Sequence, residues 1–211
     1  MIGIIDYGMG NLNSVRKSVE AQNVSCSLIT TVEEVLKCDR IILPGVGAFE
    51  NAITFLKNSG MVEPLLEKIK SGTPFLGICL GMQMLFDSST ENGFFHGLGL
   101  FPGEVVKFHF TEEQCVSAGE KLSIPHMGWN QVTVEQPEHP FWRGVEPGSY
   151  FYFVHSYHAL PKNRADVATF TNYGYEFCSA ITRENVVATQ FHPEKSQKTG
   201  AILIENFIKR M

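Results

Sequence analysis

The sequence carries no surplus of positive charge and no run of it. Its 17 Lys and Arg stand against 22 Asp and Glu, a formal net charge of -5 over 211 residues. A nucleic-acid binder would show a basic stripe, so that class is excluded. No apolar stretch approaches the ~20 residues that a membrane-spanning helix needs. The opening Met1-Ile-Gly-Ile-Ile-Asp6 lacks the basic start and long apolar core of a secretory signal, and reads as a first β-strand. Cysteines are few: Cys26, Cys38, Cys79, Cys115 and Cys178, an odd number with no C-x-x-C spacing. Neither a disulfide framework nor a zinc site is indicated, which implies a reduced, cytoplasmic protein. Repeats, low-complexity tracts and linkers are also missing, so residues 1–211 read as one domain. What remains is an ordinary folded composition, 44% hydrophobic and 18% charged.

The first half alternates strand and helix signals. Strand signals at 2–5, at 24–29, where apolar and polar residues alternate, and at 39–43 are separated by segments of helical period, with Leu12, Val15 and Val19 on one face, then Phe49, Ala52, Ile53 and Leu56, then Val62, Leu65, Leu66 and Ile69. Thr31-Val-Glu-Glu34 fits a capping box that opens a short helix. This alternation predicts an α/β fold with a mixed, mostly parallel central sheet flanked by helices. Ligand sites in such sheets lie beyond the C-terminal strand ends, here Asp6-Tyr-Gly, Pro44-Gly-Val-Gly and Gly77-Ile-Cys. From about residue 87 strand-like stretches follow one another (104–108, 131–135, 149–155, 166–170, 177–182, 186–191), which predicts an antiparallel C-terminal part. The last two read as a hairpin turning at Arg183-Glu-Asn185, and Thr111–Ser123 reads as an exposed loop. Ile202, Leu203, Phe207 and Ile208 mark a C-terminal helix.

The chemistry concentrates at Thr73–Phe86. A buried strand stops at Gly77, and a helix is predicted from Gly81 carrying Met82, Leu85 and Phe86. Cys79 stands between them with a glycine two residues to either side, the spacing of a nucleophile elbow. A Cβ at either glycine would collide with the neighbouring strand and helix. The helix start behind the sulfur favours a thiolate. A second motif, Gln190-Phe-His192-Pro-Glu194, follows the last strand. In an extended segment residues i and i+2 project to the same side, so Glu194 is expected to orient His192. Cys79, His192 and Glu194 supply nucleophile, base and orienting acid.

These two motifs resemble the signatures of the class I, or triad, glutamine amidotransferases, and the resemblance covers nearly the whole chain. Asp6-Tyr-Gly-Met-Gly-Asn-Leu-Asn-Ser14, Pro44-Gly-Val-Gly-Ala-Phe49, Pro125-His-Met-Gly-Trp-Asn130 and Tyr152-Phe-Val-His-Ser-Tyr157 resemble one branch, the glutaminase subunits of imidazole glycerol phosphate synthases. The resemblance implies hydrolysis of L-glutamine through a Cys79 thioester, with ammonia delivered to a cyclase (β/α)8-barrel subunit in a heterodimer of histidine biosynthesis. It implies catalytic Cys79, His192 and Glu194. The oxyanion hole is expected from Leu80 and the loop Gly45, Val46 and Gly47, whose glycines allow a peptide to turn over. Substrate is expected on Gln83 and the backbone of Ser156 and Tyr157. Lys195, Asn11, Asn13, Trp129 and Tyr152 are the expected partner interface. No metal or cofactor is called for: His126, His155 and His158 lack paired ligand spacing, His96, His109 and His139 read as surface or loop residues, and the remaining cysteines read as inert. A paralogous glutaminase feeding another synthase, such as a surface-sugar amidotransferase, would keep the same triad. A scaffold subunit without catalysis would have no need of it.

Overall fold

The computed structural model describes residues 1–8, 10–117 and 122–211. Its first half is the expected alternation: β1 (Ile2–Ile5), α1 (Leu12–Glu20), β2 (Cys26–Ile29), α2 (Val32–Leu36), β3 (Arg40–Leu43), α3 (Phe49–Asn58), α4 (Val62–Lys70) and β4 (Phe75–Ile78). The Thr31 capping box is formed at the start of α2. β4 is followed by a single helical turn, α5 (Leu80–Gln83), and then by β5 (Phe86–Ser89), β6 (Phe95–His96), β7 (Phe101–Lys107) and α6 (Glu112–Ser117). The remaining elements are β8 (His126–Gln131), β9 (Thr133–Val134), β10 (Tyr150–His155), β11 (Tyr157–Pro161), β12 (Val167–Asn172), β13 (Glu176–Arg183), β14 (Val186–Thr189) and α7 (Gln197–Arg210).

The main sheet runs β2-β1-β3-β4-β14-β13-β11-β7-β5-β6, with β12 paired to β13 and β9. The five strands from β2 to β14 are parallel. Beyond them most pairs are antiparallel, starting with the β13–β14 hairpin, whose register closes at Arg183 opposite Val186. β8 and β10 form a separate antiparallel ribbon. Period-two alternation assigns strand residues to two cores. Ile5, Ile41, Leu43 and Phe75 pack with α2, α3 and α4, and Ile4, Ile42, Leu76 and Ile78 pack with α1 and α7. Both faces of the parallel block are therefore covered, which is why its strands carry few polar residues. Among the described residues no helix is long and apolar enough to cross a membrane.

Two sequence expectations need correction. The helix after Cys79 ends at Gln83, and Phe86 opens a strand. The N–H groups of Met84 and Leu85 still bond back to the carbonyls of Leu80 and Met82, but their own carbonyls accept from Leu98, Leu100 and Phe101, so the helix is not continued beyond this turn. Met84, Leu85 and Phe86 are fully buried, and a segment buried all round has no polar face from which a period can be read. The expected loop Thr111–Ser123 contains α6. Thr111 and Gln114 cap it reciprocally, Gln114 N–H to Thr111 Oγ1 at 3.3 Å and Thr111 N–H to Gln114 Oε1 at 2.8 Å. That Thr-x-x-Gln box was readable in the sequence. The rest of that expectation at residues 118–121, like Met9 of the Asp6–Ser14 motif, lies outside the described residues. β5, β6, β8 and β11 were not anticipated; the strand expected at 131–135 is instead β9 (Thr133–Val134), with β8 ending at Gln131.

Candidate active site

Cys79 sits where β4 meets α5, with φ 55° and ψ -107°, a conformation a side chain adopts only under constraint. The constraint is visible on both sides. A Cβ on Gly81 would lie 1.8 Å from the Leu43 carbonyl oxygen, and one on Gly77 would lie 3.0 Å from Ala188 Cβ and from the Gly81 carbonyl. The helical turn can therefore press against the end of β3 only with glycine at 81, and it sits tightly against β14 because residue 77 carries no Cβ. The Cys79 N–H donates to the Thr189 carbonyl at 2.7 Å, which pins the elbow to β14. The side chain is 6% exposed.

β14 leads directly into His192. Its Nδ1 lies 2.8 Å from Glu194 Oε1, and both side chains are buried. The contact is not made through an extended segment, as expected from the sequence. Pro193–Lys195 form a 3-10 turn with proline in its first position, which curls Glu194 back beneath the ring. The His192 N–H donates to the Tyr152 carbonyl at 2.9 Å, and Ser196 Oγ donates to the His192 carbonyl at 2.6 Å. Among the described residues His192 Nε2 is buried and makes no hydrogen bond. Burial disfavours the charge on His192, but Cys79 and then Glu194 outweigh it, so the imidazole pKa is raised to about 10. The Nδ1 proton is held by Glu194, and Nε2 remains for the sulfur side.

A cavity of about 360 Å³ opens above the elbow, lined by Val46, Gly47, Cys79, Leu80, Gln83, Glu91, Pro125, Val154, His155, Ser156 and Tyr157. Of the expected oxyanion residues, Leu80, Val46 and Gly47 reach this wall. Gly45 does not: it packs behind, where a Cβ would meet Tyr7 Oη and Leu80 Cβ. Tyr7 Oη in turn donates to the Pro44 carbonyl at 2.8 Å. The ends of β1, β3 and β4 thus gather at one place, as the strand-end rule anticipates. Gln83 lies one turn from Cys79 and lines the cavity, but its Nε2 already donates to the Tyr157 carbonyl and to Gln190 Oε1, both at 3.0 Å. Ser156 and Tyr157 line the opposite wall.

Sequence reasoning missed three neighbours. Gln190 Nε2 approaches Cys79 Sγ at 3.5 Å; its place beside Phe191-His-Pro-Glu194 was the available signal. Glu91, among the described residues the one ionisable carboxylate in the lining, accepts from the Phe49 N–H at 2.8 Å. It follows β5, which the sequence did not reveal. His155, whose spacing does not suit a metal ligand, lines the cavity.

The expected partner residues fall on one side of this site. Tyr152 and Trp129 are cross-strand neighbours on the ribbon, their rings 6.0 Å apart and edge-to-face. Lys195 Nζ stands 5.7 Å from the Tyr152 ring centre. Asn11 caps α1, its side chain accepting from the Ser14 N–H, and Asn13 is exposed in the first turn of α1. α1 packs against the Pro193–Lys195 turn.

A cysteine on a strained strand-to-helix elbow, backed by a buried His–Glu pair and walled by glycine-rich loops, is an arrangement suited to amide hydrolysis through a thioester. The chain belongs to the class-I glutamine amidotransferase family, whose model matches residues 3–211. Within that family it is similar to two proteins named imidazole glycerol phosphate synthase subunit HisH. The one from Syntrophotalea carbinolica is 47% identical over 98% of each chain. The one from Geobacter sulfurreducens is 47% identical over 98% of this chain and 97% of its own. Among solved structures, a chain of PurLQS from Thermotoga maritima superposes with a TM-score of 0.74 at 17% identity, over 98% of this chain and 96% of that one. That likeness speaks for the fold alone.

Proposed function

We infer that the protein is the glutaminase subunit of an imidazole glycerol phosphate synthase. The observation that carries the chemistry is the strained Cys79 elbow beside the buried His192–Glu194 pair. The Cys79 thiolate attacks the side-chain carbonyl carbon of glutamine, forming a C–S bond and a tetrahedral oxyanion. The oxyanion is met by backbone N–H donors of Leu80 and of the Val46–Gly47 loop, each worth on the order of a few kcal/mol in the transition state. His192 gives its Nε2 proton to the departing nitrogen, the C–N bond breaks, and ammonia leaves. Water then attacks the thioester with His192 as base, and glutamate is released. Glu91, the ionisable carboxylate in the cavity lining, suits the substrate's α-ammonium, and the backbone of Ser156 and Tyr157 suits its carboxylate end.

The ammonia passes to a cyclase (β/α)8-barrel subunit, which docks on the face formed by Trp129, Tyr152, Lys195 and the start of α1. Met127 and Trp129 are 61% and 45% exposed there, a patch of the kind that marks a partner surface. We take the chain to be one domain, to work in the cytoplasm and to need no cofactor. Its five cysteines are all unpaired, as suits that compartment. The test is glutamate release by the purified chain alone and with the cyclase subunit of the same genome plus a ribonucleotide ligand of that subunit. Near-silence alone and strong activation with the liganded partner is the expected result. Activity indifferent to that partner, or none with it, would instead favour a paralogue serving another synthase.

A further inference from the structure

Three histidines are buried near the cavity, and the thioester chemistry uses none of them. Two face each other across the ribbon, His126 on β8 opposite His155 on β10, and they are 3% and 6% exposed. Phe108 and Phe153 pack against both rings. His126 Nδ1 and His155 Nε2 are 3.0 Å apart. His155 Nδ1 lies 2.8 Å from the Tyr157 carbonyl, and Asn130 Nδ2 lies 3.2 Å from His126 Nε2.

The proton positions follow from the two ends of this hydrogen-bonded series. A carbonyl only accepts, so His155 Nδ1 carries the proton and its Nε2 accepts from His126 Nδ1. His126 Nε2 must then accept from Asn130. The Asn130 amide is itself oriented, its Nδ2 donating to the Asn172 carbonyl at 2.9 Å and its Oδ1 accepting from the Gln131 N–H at 2.8 Å. This assignment needs both rings neutral. Burial pushes the His126 pKa down to about 4, and burial followed by the neighbouring His126 holds that of His155 well below its usual value.

The Tyr157 carbonyl is the meeting point. It accepts from His155 Nδ1 and from Gln83 Nε2, and the same Gln83 nitrogen reaches Gln190, whose own amide reaches the Cys79 sulfur. His155 therefore closes the bend between β10 and β11, where Ser156 and Tyr157 line the cavity. We propose that His155 is a positioning residue for glutamine binding: through its Nδ1–H bond to the Tyr157 carbonyl, and held in one tautomer by His126, it fixes the Ser156–Tyr157 backbone and the Gln83 side chain in substrate-binding geometry. The proposal rests on the glutaminase reading and adds to it a residue that acts on affinity rather than on bond breaking.

The test uses two variants of similar size. His155→Asn keeps a donor where Nδ1 stands and loses the Nε2 acceptor; His155→Gln places its amide at the Nε2 end and loses the donor to Tyr157. Both full chains are assembled with the cyclase subunit. Glutamate release is measured against glutamine concentration, and synthesis is measured separately with ammonium chloride. His155→Gln is expected to raise KM for glutamine at least tenfold with a much smaller change in kcat. His155→Asn is expected to stay within about threefold of the unmutated chain, and ammonia-supported synthesis to be unchanged in both. Equal KM values in the two variants would overturn the proposal, as would loss of ammonia-supported synthesis alongside the glutamine effect. A wild-type complex that releases no glutamate would remove the glutaminase reading itself, and the proposal with it.

Discussion

Gly81→Ala tests how the elbow is built. The added Cβ would stand 1.8 Å from the Leu43 carbonyl oxygen, whereas real Cβ contacts essentially never fall below 3.0 Å, so β3 and α5 must separate by about 1.2 Å. The atom that is struck is backbone, so no side chain can swing away. It also belongs to the residue just before Pro44–Gly47, and the other side of the clash is the turn that begins with Leu80. The substitution therefore spreads the two walls from which we propose that the oxyanion donors are drawn. Overpacking of this kind costs about 1–3 kcal/mol of stability, which for a chain of this length is a fall of roughly 2–12 °C in Tm. The catalytic loss is larger, because a misplacement of about 1 Å costs on the order of 100-fold. The assay is glutamine-dependent glutamate release in the complex, with Tm by calorimetry and ammonia-supported synthesis as controls. We expect kcat down by about 100-fold, ammonia-supported synthesis intact and the chain folded. A variant within twofold of wild type in kcat would refute the argument that the glycine sets the elbow's geometry.

Cys79→Ala is expected to abolish glutamine-dependent synthesis and to leave ammonia-dependent synthesis by the complex intact; loss of both would make the cysteine structural. Glu194→Gln removes the carboxylate that holds His192 Nδ1 and should lower kcat by roughly 10²–10⁴-fold with little change in KM. The same variant has a pH signature. His192 is raised from 6.5 to about 10 in the folded chain, so its contribution to stability is full below about pH 6.5 and is lost as pH rises towards 10. Without the carboxylate that loss should move to lower pH, and urea midpoints measured from pH 6 to 10 that track wild type would contradict it. Lys195→Ala is expected to weaken activation by the cyclase subunit while leaving reaction of Cys79 with a diazoketone glutamine analogue nearly unchanged; unaltered activation and affinity would take Lys195 out of the docking face.

Much of the site was legible because its parts are local. Gly77 and Gly81 bracket Cys79 within five residues; a Cβ at Gly81 would collide with the Leu43 carbonyl, and one at Gly77 would be crowded by Ala188 and the Gly81 carbonyl. His192 and Glu194 are likewise close in the chain, although the expected route between them was wrong: the 3-10 turn after Pro193, not an extended strand, brings the carboxylate to the ring. α6 was missed despite its Thr111–Gln114 box, because the six-residue segment opens with Glu112-Glu-Gln114 and is too short to show an apolar period. β5 was missed for the opposite reason, since Met84–Phe86 are buried on every side.

Sequence alone determined what local steric and hydrogen-bonding rules determine. It set the alternation of β1 to β4 with their helices, the capping of α2, the β13–β14 hairpin, the glycine bracket around Cys79 and the closeness of His192 to Glu194. Only the tertiary structure decided which distant groups meet. Gln190 reaches the Cys79 sulfur across 111 residues, and Glu91 enters the cavity on a loop 42 residues from the Phe49 N–H it accepts from. Gly45 is displaced behind the wall it was expected to form, and two histidines 29 apart in the chain become one hydrogen-bonded pair. Such contacts depend on strand order and register, which are fixed when the two faces of the sheet are buried together rather than by any short stretch of chain.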